Sequence, residues 1–306
     1  MKEQEMALKN TVLRTVTGSH LYGTSTPESD HDEAGIFVPN QAYVIGTKTC
    51  EQVEIKSNPS DSGKRNGPED TDLVLYSLPK FIHLASGCNP NIIELLFSNS
   101  YSYLSPLVGE ELVKNRSLFL SQLVRKTFVG YAKAQMAKLT TKKSRLTAIR
   151  SAKARIEGYR GSYTKHLLDK LYVRDNEQIY KTYEAGLTIA HVWNDLISLE
   201  QEYGLRTKSV EQYGYDTKFA MHIIRLLYEA IDLLENGTLI FPFTGDSLKH
   251  LMDVRAGKWG LEGVLECAND LILMVDTKET KLPENCNLDR ICELQVKLLT
   301  DYWRIN

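Results

Sequence analysis

Between residues 11 and 77 the chain reads as short apolar stretches separated by polar turns. TVLRTVT, residues 11–17, is rich in β-branched types and stops at Gly18, which predicts a strand. DHDEAGIFV, residues 30–38, predicts a second. Side chains alternate along a strand, so Asp30, Asp32, Ala34, Ile36 and Val38 share one face, acidic at its start and apolar beyond. CEQVEIK (50–56) predicts a third strand and DLVLYS (72–77) a fourth. The polar, turn-rich run SNPSDSGKRNGPED (57–70) lies between them and reads as an exposed, mobile loop.

From Leu78 the apolar positions move to helical spacing. LPKFIHLAS carries a proline suited to the first turn of a helix, and Asn89-Pro90-Asn91 offers a cap and an N1 proline to IIELLF. FVGYAKAQMAKL, the run from Ala185 to Trp193, and FAMHIIRLLYEAIDLLENG are also helical, the last stopping at Asn236-Gly237. No internal repeat or low-complexity tract interrupts this order. The pattern predicts an α+β chain: a small sheet-bearing domain over residues 1–115, then a helical domain over 116–306.

Composition narrows the class. The balance of apolar and charged residues is that of a soluble protein, and no stretch approaches the ~20 apolar residues needed to span a bilayer. The first residues, MKEQEM, lack the apolar core of a signal peptide, so a cytoplasmic protein with no membrane partner is expected. Cys50, Cys88, Cys267, Cys286 and Cys292 are scattered without a C-x-x-C pair, which argues against a disulfide framework or a zinc site. Charge is uneven. Arg125 to Lys165 holds twelve Lys or Arg against one acid, Glu157, a local +11 in a chain whose total is −2. That run fits a phosphate-rich partner, with Tyr131, Tyr159 and Tyr163 available to stack on bases. The competing reading is a pair of solvated helices whose cations pair with the acidic remainder.

The acidic strand start is the first candidate for chemistry. Two carboxylates at i and i+2, Asp30 and Asp32, repel each other unless a cation intervenes, and Mg²⁺ suits hard oxygen ligands shared with substrate phosphates. Taken alone, such a pair is usually just exposed acids. Upstream, Gly18 follows a strand directly and Ser19 can cap a short helix, a turn whose N–H groups suit phosphate. His31-Asp32 resembles the H-D motif of metal phosphohydrolases, but His20 is the one other histidine nearby and the motif sits on a strand. His31 is expected to face away from Asp32. In the second half, Lys218, His222 and Arg225 share a helix face, with Tyr215 just ahead. This stripe could contact a triphosphate or acceptor, or could form internal ion pairs with Glu229 and Asp232. Asn89 and Glu94 read as a cap and a helix anchor.

A Gly-Ser turn, then Ser-Asp-x-Asp on the adjacent strand, resembles the DNA polymerase beta nucleotidyltransferase superfamily. GSHLYGTSTPESDHDEAGIFV, DLVLYSLPKFIHLASGCNPNIIELLF, FVGYAKAQMAKL and YGYDTKFAMHIIRLLYEAIDLLENGTLIFP resemble, in order, blocks of the RNA-ligase-associated (RlaP-like) nucleotidyltransferases of bacteria and large phages, over about residues 11–260. The resemblance implies a mixed-sheet, polymerase-beta-like domain, Mg²⁺ or Mn²⁺, an NTP donor and release of pyrophosphate. If the chain is phage-encoded, it works in the host cytoplasm. The resemblance also implies a third carboxylate, Asp72 with Asp70 as rival, beside the metal ligands Asp30 and Asp32. In such enzymes the third carboxylate helps deprotonate the acceptor hydroxyl. Gly18, Ser19, Tyr215, Lys218, His222 and Arg225 become candidates for holding the nucleotide. The basic run favours RNA or tRNA as acceptor. A toxin-like or regulatory enzyme that nucleotidylates protein, and an inactive nucleotide sensor, are the alternatives; intact Gly18, Ser19, Asp30, Asp32 and Asp72 argue against the sensor. Base preference and oligomeric state are left open by the sequence.

Overall fold

The computed structural model describes residues 2–57, 70–156, 189–203 and 206–305. They divide into two compact units. The first takes Met1–Ala132, Ile224–Met252 and Ala268–Asn306; the second takes Lys133–Ile223 and Asp253–Cys267. The break expected near residue 115 therefore falls inside the first unit, and the chain returns to that unit twice.

In the first unit, helix α1 (Lys2–Lys9) leads into β1 (Thr11–Val16), a short α2 (Gly18–Tyr22), β2 (His31–Phe37), β3 (Gln52–Lys56) and β4 (Thr71–Ser77). Helices α3 (Leu78–Ser86) and α4 (Pro90–Ile93), strand β5 (Tyr101–Leu104) and helix α5 (Gly109–Lys114) follow, and then α6 (Leu123–Ile156). The sheet order is β3-β4-β2-β1-β5. β2 and β4 run parallel, while β1–β2, β1–β5 and β3–β4 are antiparallel, so the sheet is mixed. The fold is α+β, as the pattern predicts. The four expected strands form within two residues of their expected ends. β5 was not foreseen, because a four-residue edge strand has too few positions to show an alternation.

Alternation gives the sheet two different faces. Phe37, Val53, Leu73 and Leu75 bury one face with Ala7 of α1. Asp32, Ala34, Asp72, Val74, Glu54 and Lys56 occupy the other, because residues paired across a ladder point the same way. The helices begin where their caps are. Ser77 Oγ accepts from the Lys80 amide ahead of α3, and Asn89 Oδ1 accepts from Asn91 at 3.1 Å ahead of α4. The C-terminal helix, Leu288–Ile305, also belongs to this unit: Trp303 Nε1 donates to the Pro39 carbonyl at 2.9 Å.

Further along come α7 (Ile189–Tyr203), α8 (Arg206–Tyr213), α9 (Thr217–Asn236), α10 (Gly245–Arg255), α11 (Leu261–Thr277) and α12 (Leu288–Ile305). α9 stops at Gly237, whose φ of +64° is the left-handed conformation expected after a helix end. Among the described residues no helix is long and apolar enough to cross a membrane. Most of the expected 57–70 loop, residues 185–188 of the expected Ala185–Trp193 helix, and Tyr159, Tyr163 and Lys165 of the basic run lie outside the described residues.

Candidate active site

The ladder between β2 and β4 assembles the site. Asp32 and Asp72 are partners in the parallel register, one residue inside their strands, so both carboxylates rise from the same face. Two contacts hold this end of the sheet: the His31 amide donates to the Asp70 carbonyl at 3.0 Å, and the Thr17 amide to the Asp32 carbonyl at 2.9 Å. Gly18 follows immediately, with φ +62°. A Cβ on Gly18 would stand 2.7 Å from Asp32 Oδ2, so the missing side chain is what makes room for that carboxylate. Gly18→Ala is expected to lower stability by about 1–2 kcal/mol through the left-handed φ alone. It should also displace Asp32. A shifted urea midpoint with weakened Mg²⁺–NTP binding would show both effects.

A cavity of about 370 Å³ opens here. Gly18, Asp32, Asp72, Glu54, Lys56, Tyr76, Asn91 and Glu94 are among its walls. Its described lining holds five acids, counting Glu33, and Lys56 is its one cation. Two of the acids have a guanidinium behind them: Arg14 pairs with Glu33, and Arg225, shared with Glu229, pairs with Glu94. Asp32, Glu54, Asp72 and Lys56 then leave a formal −2 on the cavity surface. The Tyr76 phenol reports this environment, pushed above its ordinary range first by burial and then by Glu54 and Glu94. A polyphosphate would be repelled unless cations came with it. Two carboxylates from adjacent strands, with room kept by Gly18, match the donor set Mg²⁺ takes when substrate phosphates complete its shell. Asp32 and Asp72 would hold that ion.

The expected trio assembles only in part. β2 begins at His31, so Asp30 precedes the alternation and does not line the cavity. Among the described residues no group of three or more His, Cys, Asp or Glu is placed to hold a metal. Of the two rivals for third carboxylate, Asp72 faces the cavity, whereas Asp70 Oδ1 accepts from Ser57 Oγ at 3.2 Å. Ser19 lies buried inside α2 rather than capping it; the cap position is Thr17, without a side-chain bond. His31 sits on His20, ring centroids 5.1 Å apart, and neither lines the cavity.

The helical candidates separate. Lys218 is exposed and His222 half-buried on α9, both within the second unit. Arg225, one turn on, is 4% exposed and corrects the expectation of a nucleotide contact. Its Nη1 reaches Glu229 Oε1 at 2.5 Å and Glu94 Oε2 at 3.2 Å, and its guanidinium stacks on the Tyr22 ring at 3.9 Å. Tyr22 Oη donates to Glu94 Oε2 at 2.8 Å. A guanidinium so enclosed serves the fold. Tyr215 is also core, its hydroxyl donating to the Trp259 carbonyl at 2.6 Å. Glu94, read as an anchor, is that and also a cavity wall. Lys56, Glu54 and Tyr76 were missed: CEQVEIK puts Glu54 and Lys56 on one face and DLVLYS puts Tyr76 on that of Asp72, but neither shows that β3 lies against β4.

Part of the basic run is committed internally. Arg150 pairs with Glu200 and Glu211 at 2.8 and 2.6 Å, Lys153 pairs with Glu200, and Arg125 donates to the Val275 and Lys278 carbonyls. Lys126, Lys133 and Lys138 stay exposed, and Tyr131 accepts from Asn89 Nδ2 at 3.2 Å.

A family model described as the RNA repair pathway DNA polymerase beta family (RlaP) matches residues 1–260. The chain is 25% identical, over 311 aligned positions, to an uncharacterized 38.9 kDa protein from the nrdC-mobD intergenic region of Enterobacteria phage T4. That alignment covers 90% of this chain and 91% of the phage protein. Among solved structures, a nucleotidyltransferase-like protein from Exiguobacterium sibiricum aligns with 99% of this chain and 88% of its own, at 10% identity and a TM-score of 0.27.

Proposed function

The chain belongs to the RNA repair pathway DNA polymerase beta family, and from that premise we propose that it is a metal-dependent nucleotidyltransferase that moves a nucleoside monophosphate from an NTP to a hydroxyl of RNA. The observation that carries the reading is the pairing of Asp32 with Asp72 on one face of a mixed sheet, beside a glycine whose missing Cβ leaves space for the carboxylate. Mg²⁺ or Mn²⁺ held there would offset charge on the transferred phosphoryl group and on the departing pyrophosphate.

In this reading the donor's phosphates lie on the Gly18 side. The acceptor oxygen bonds to the α-phosphorus, the bond from that phosphorus to the bridging oxygen breaks, and pyrophosphate leaves. Asp72 takes the proton of the attacking hydroxyl, the role the family resemblance gives its third carboxylate. Positioning and neutralised charge supply most of the acceleration in such transfers. RNA as acceptor is supported by the family's description and by the exposed Lys126, Lys133 and Lys138. The cytoplasm, where NTPs and RNA meet, is the proposed place of action.

The test is to incubate the purified protein with each NTP labelled at its α-phosphate, Mg²⁺, and either total RNA or total protein. Label is expected in RNA. EDTA should stop its uptake, and added Mg²⁺ or Mn²⁺ should restore it. Label entering protein instead would overturn the RNA acceptor, and uptake undiminished by EDTA would overturn the metal.

A further inference from the structure

We infer that Lys56 is an acceptor-binding residue, contacting a backbone phosphate of the RNA strand whose hydroxyl is extended. The inference rests on the transferase reading above and deepens it by dividing the cavity into a donor side and an acceptor side.

The ladder registers supply the geometry. Lys56 pairs with Asp72 across β3–β4, and Asp72 pairs with Asp32 across β4–β2. Gly18 stands against Asp32 on the far side, where its Cβ would meet Asp32 Oδ2. The four residues therefore form one row across the sheet end: Gly18, Asp32, Asp72, Lys56. All four line the same cavity. The reacting phosphorus belongs over the two carboxylates. With the donor's phosphates at the Gly18 end, the acceptor must come from the other end, where β3 is the edge strand.

Chemistry agrees with position. Lys56 is the one cation among the described lining residues, and its side chain is 45% exposed. Its contact with Glu54 is 3.9 Å, the outer limit of an ion pair. An exposed pair that long contributes little, so the ammonium can turn to a stronger anion at small cost. An anionic acceptor approaching a cavity of net negative charge needs a cation on its own side of the carboxylates. A lysine one strand beyond Asp72 supplies it as a mobile point charge, which suits a phosphate whose exact position varies along a flexible strand.

The test compares wild type, Lys56→Gln and Lys56→Arg in two equilibrium titrations with Mg²⁺ present. One follows a fluorescent single-stranded RNA with a free 3′-hydroxyl across a range of salt; the other follows a non-hydrolysable NTP analogue. Lys56→Gln is expected to weaken RNA binding about tenfold and to flatten its salt dependence by about 0.7 in log–log slope, the share of one phosphate contact on a single strand. NTP-analogue affinity should stay within about twofold, and Lys56→Arg should recover most of the RNA affinity. A loss confined to the analogue would overturn the assignment in favour of a donor contact. Unchanged RNA affinity and slope would overturn it in favour of a lysine that only balances Asp72. Wild type that binds the analogue but not RNA would also overturn it. Failure of the underlying transferase reading looks different: no α-label from any NTP would then enter RNA or protein, whatever the two titrations show.

Discussion

Asp32→Asn is expected to abolish nucleotidyl transfer, by on the order of 10³-fold or more, the scale on which phosphoryl-transfer enzymes lose turnover when one charge-stabilising group is removed. The substitution preserves shape and removes only charge. Asp32 sits at a strand start and is only half-buried, so the sheet should fold unchanged, with a urea midpoint close to that of wild type. Asp72→Asn, its partner across the ladder, should lose activity to a similar degree. Turnover within tenfold of wild type in the folded Asp32→Asn protein would place the chemistry elsewhere. For Asp30 the family resemblance and the geometry point apart, and the same substitution decides between them. A loss equal to that at Asp32 assigns Asp30 to the metal set; near-normal turnover leaves Asp32 and Asp72 as the pair that holds the ion.

Arg225→Met is expected to act on stability instead, costing about 3–5 kcal/mol, because it strands Glu94 and Glu229 in a buried site without their shared cation. Had Arg225 been a triphosphate ligand, the variant would keep its stability and lose NTP affinity. One guanidinium faces two carboxylates here, so the cluster favours taking up a proton. Burial, the largest cause, pushes the Glu229 carboxyl up to about 7, against the pull of Arg225; Glu94 moves the same way for the same reason. The sign follows from linkage. A carboxyl whose folded pKa is raised contributes stability that is full below its unfolded pKa and lost as pH rises through the folded one. Wild-type stability should therefore fall from the ordinary value of 4.5 towards about 7, by up to about 1.4 kcal/mol per pH unit. Glu229→Gln should flatten that slope. Urea midpoints across the window measure it, and identical slopes in the two proteins would contradict the assignment.

Much of this arrangement is legible in the chain. Alternation in DHDEAGIFV and DLVLYS foretells the strands, and places Asp32 at the acidic start of a face that is apolar beyond. What alternation cannot show is pairing. That Asp32 and Asp72 share a register, that β3 lies beyond β4, and that Lys56 therefore joins the row all depend on contacts between segments distant in sequence. The stripe of Lys218, His222 and Arg225 misled for a related reason. Helical spacing puts the three on one face but does not say what that face meets, and at Arg225 it meets two buried acids and a tyrosine ring. Asp30 departs by one residue, because β2 begins at His31 and the alternation starts there. The break near residue 115 marked a real change from strands to helices, but two helical stretches after it, Ile224–Met252 and Ala268–Asn306, return to the sheet unit. Composition alone carries no trace of such a return.

The central claim is nucleotidyl transfer at Asp32 and Asp72, and it is tested most directly by presenting the protein with Mg²⁺, RNA, and one NTP labelled either at the α- or at the γ-phosphate. The account predicts that α-label becomes covalently attached to RNA while γ-label leaves as pyrophosphate, and that Asp32→Asn does neither. Transfer of the γ-label to RNA, or equal α-label transfer by wild type and Asp32→Asn, would contradict it.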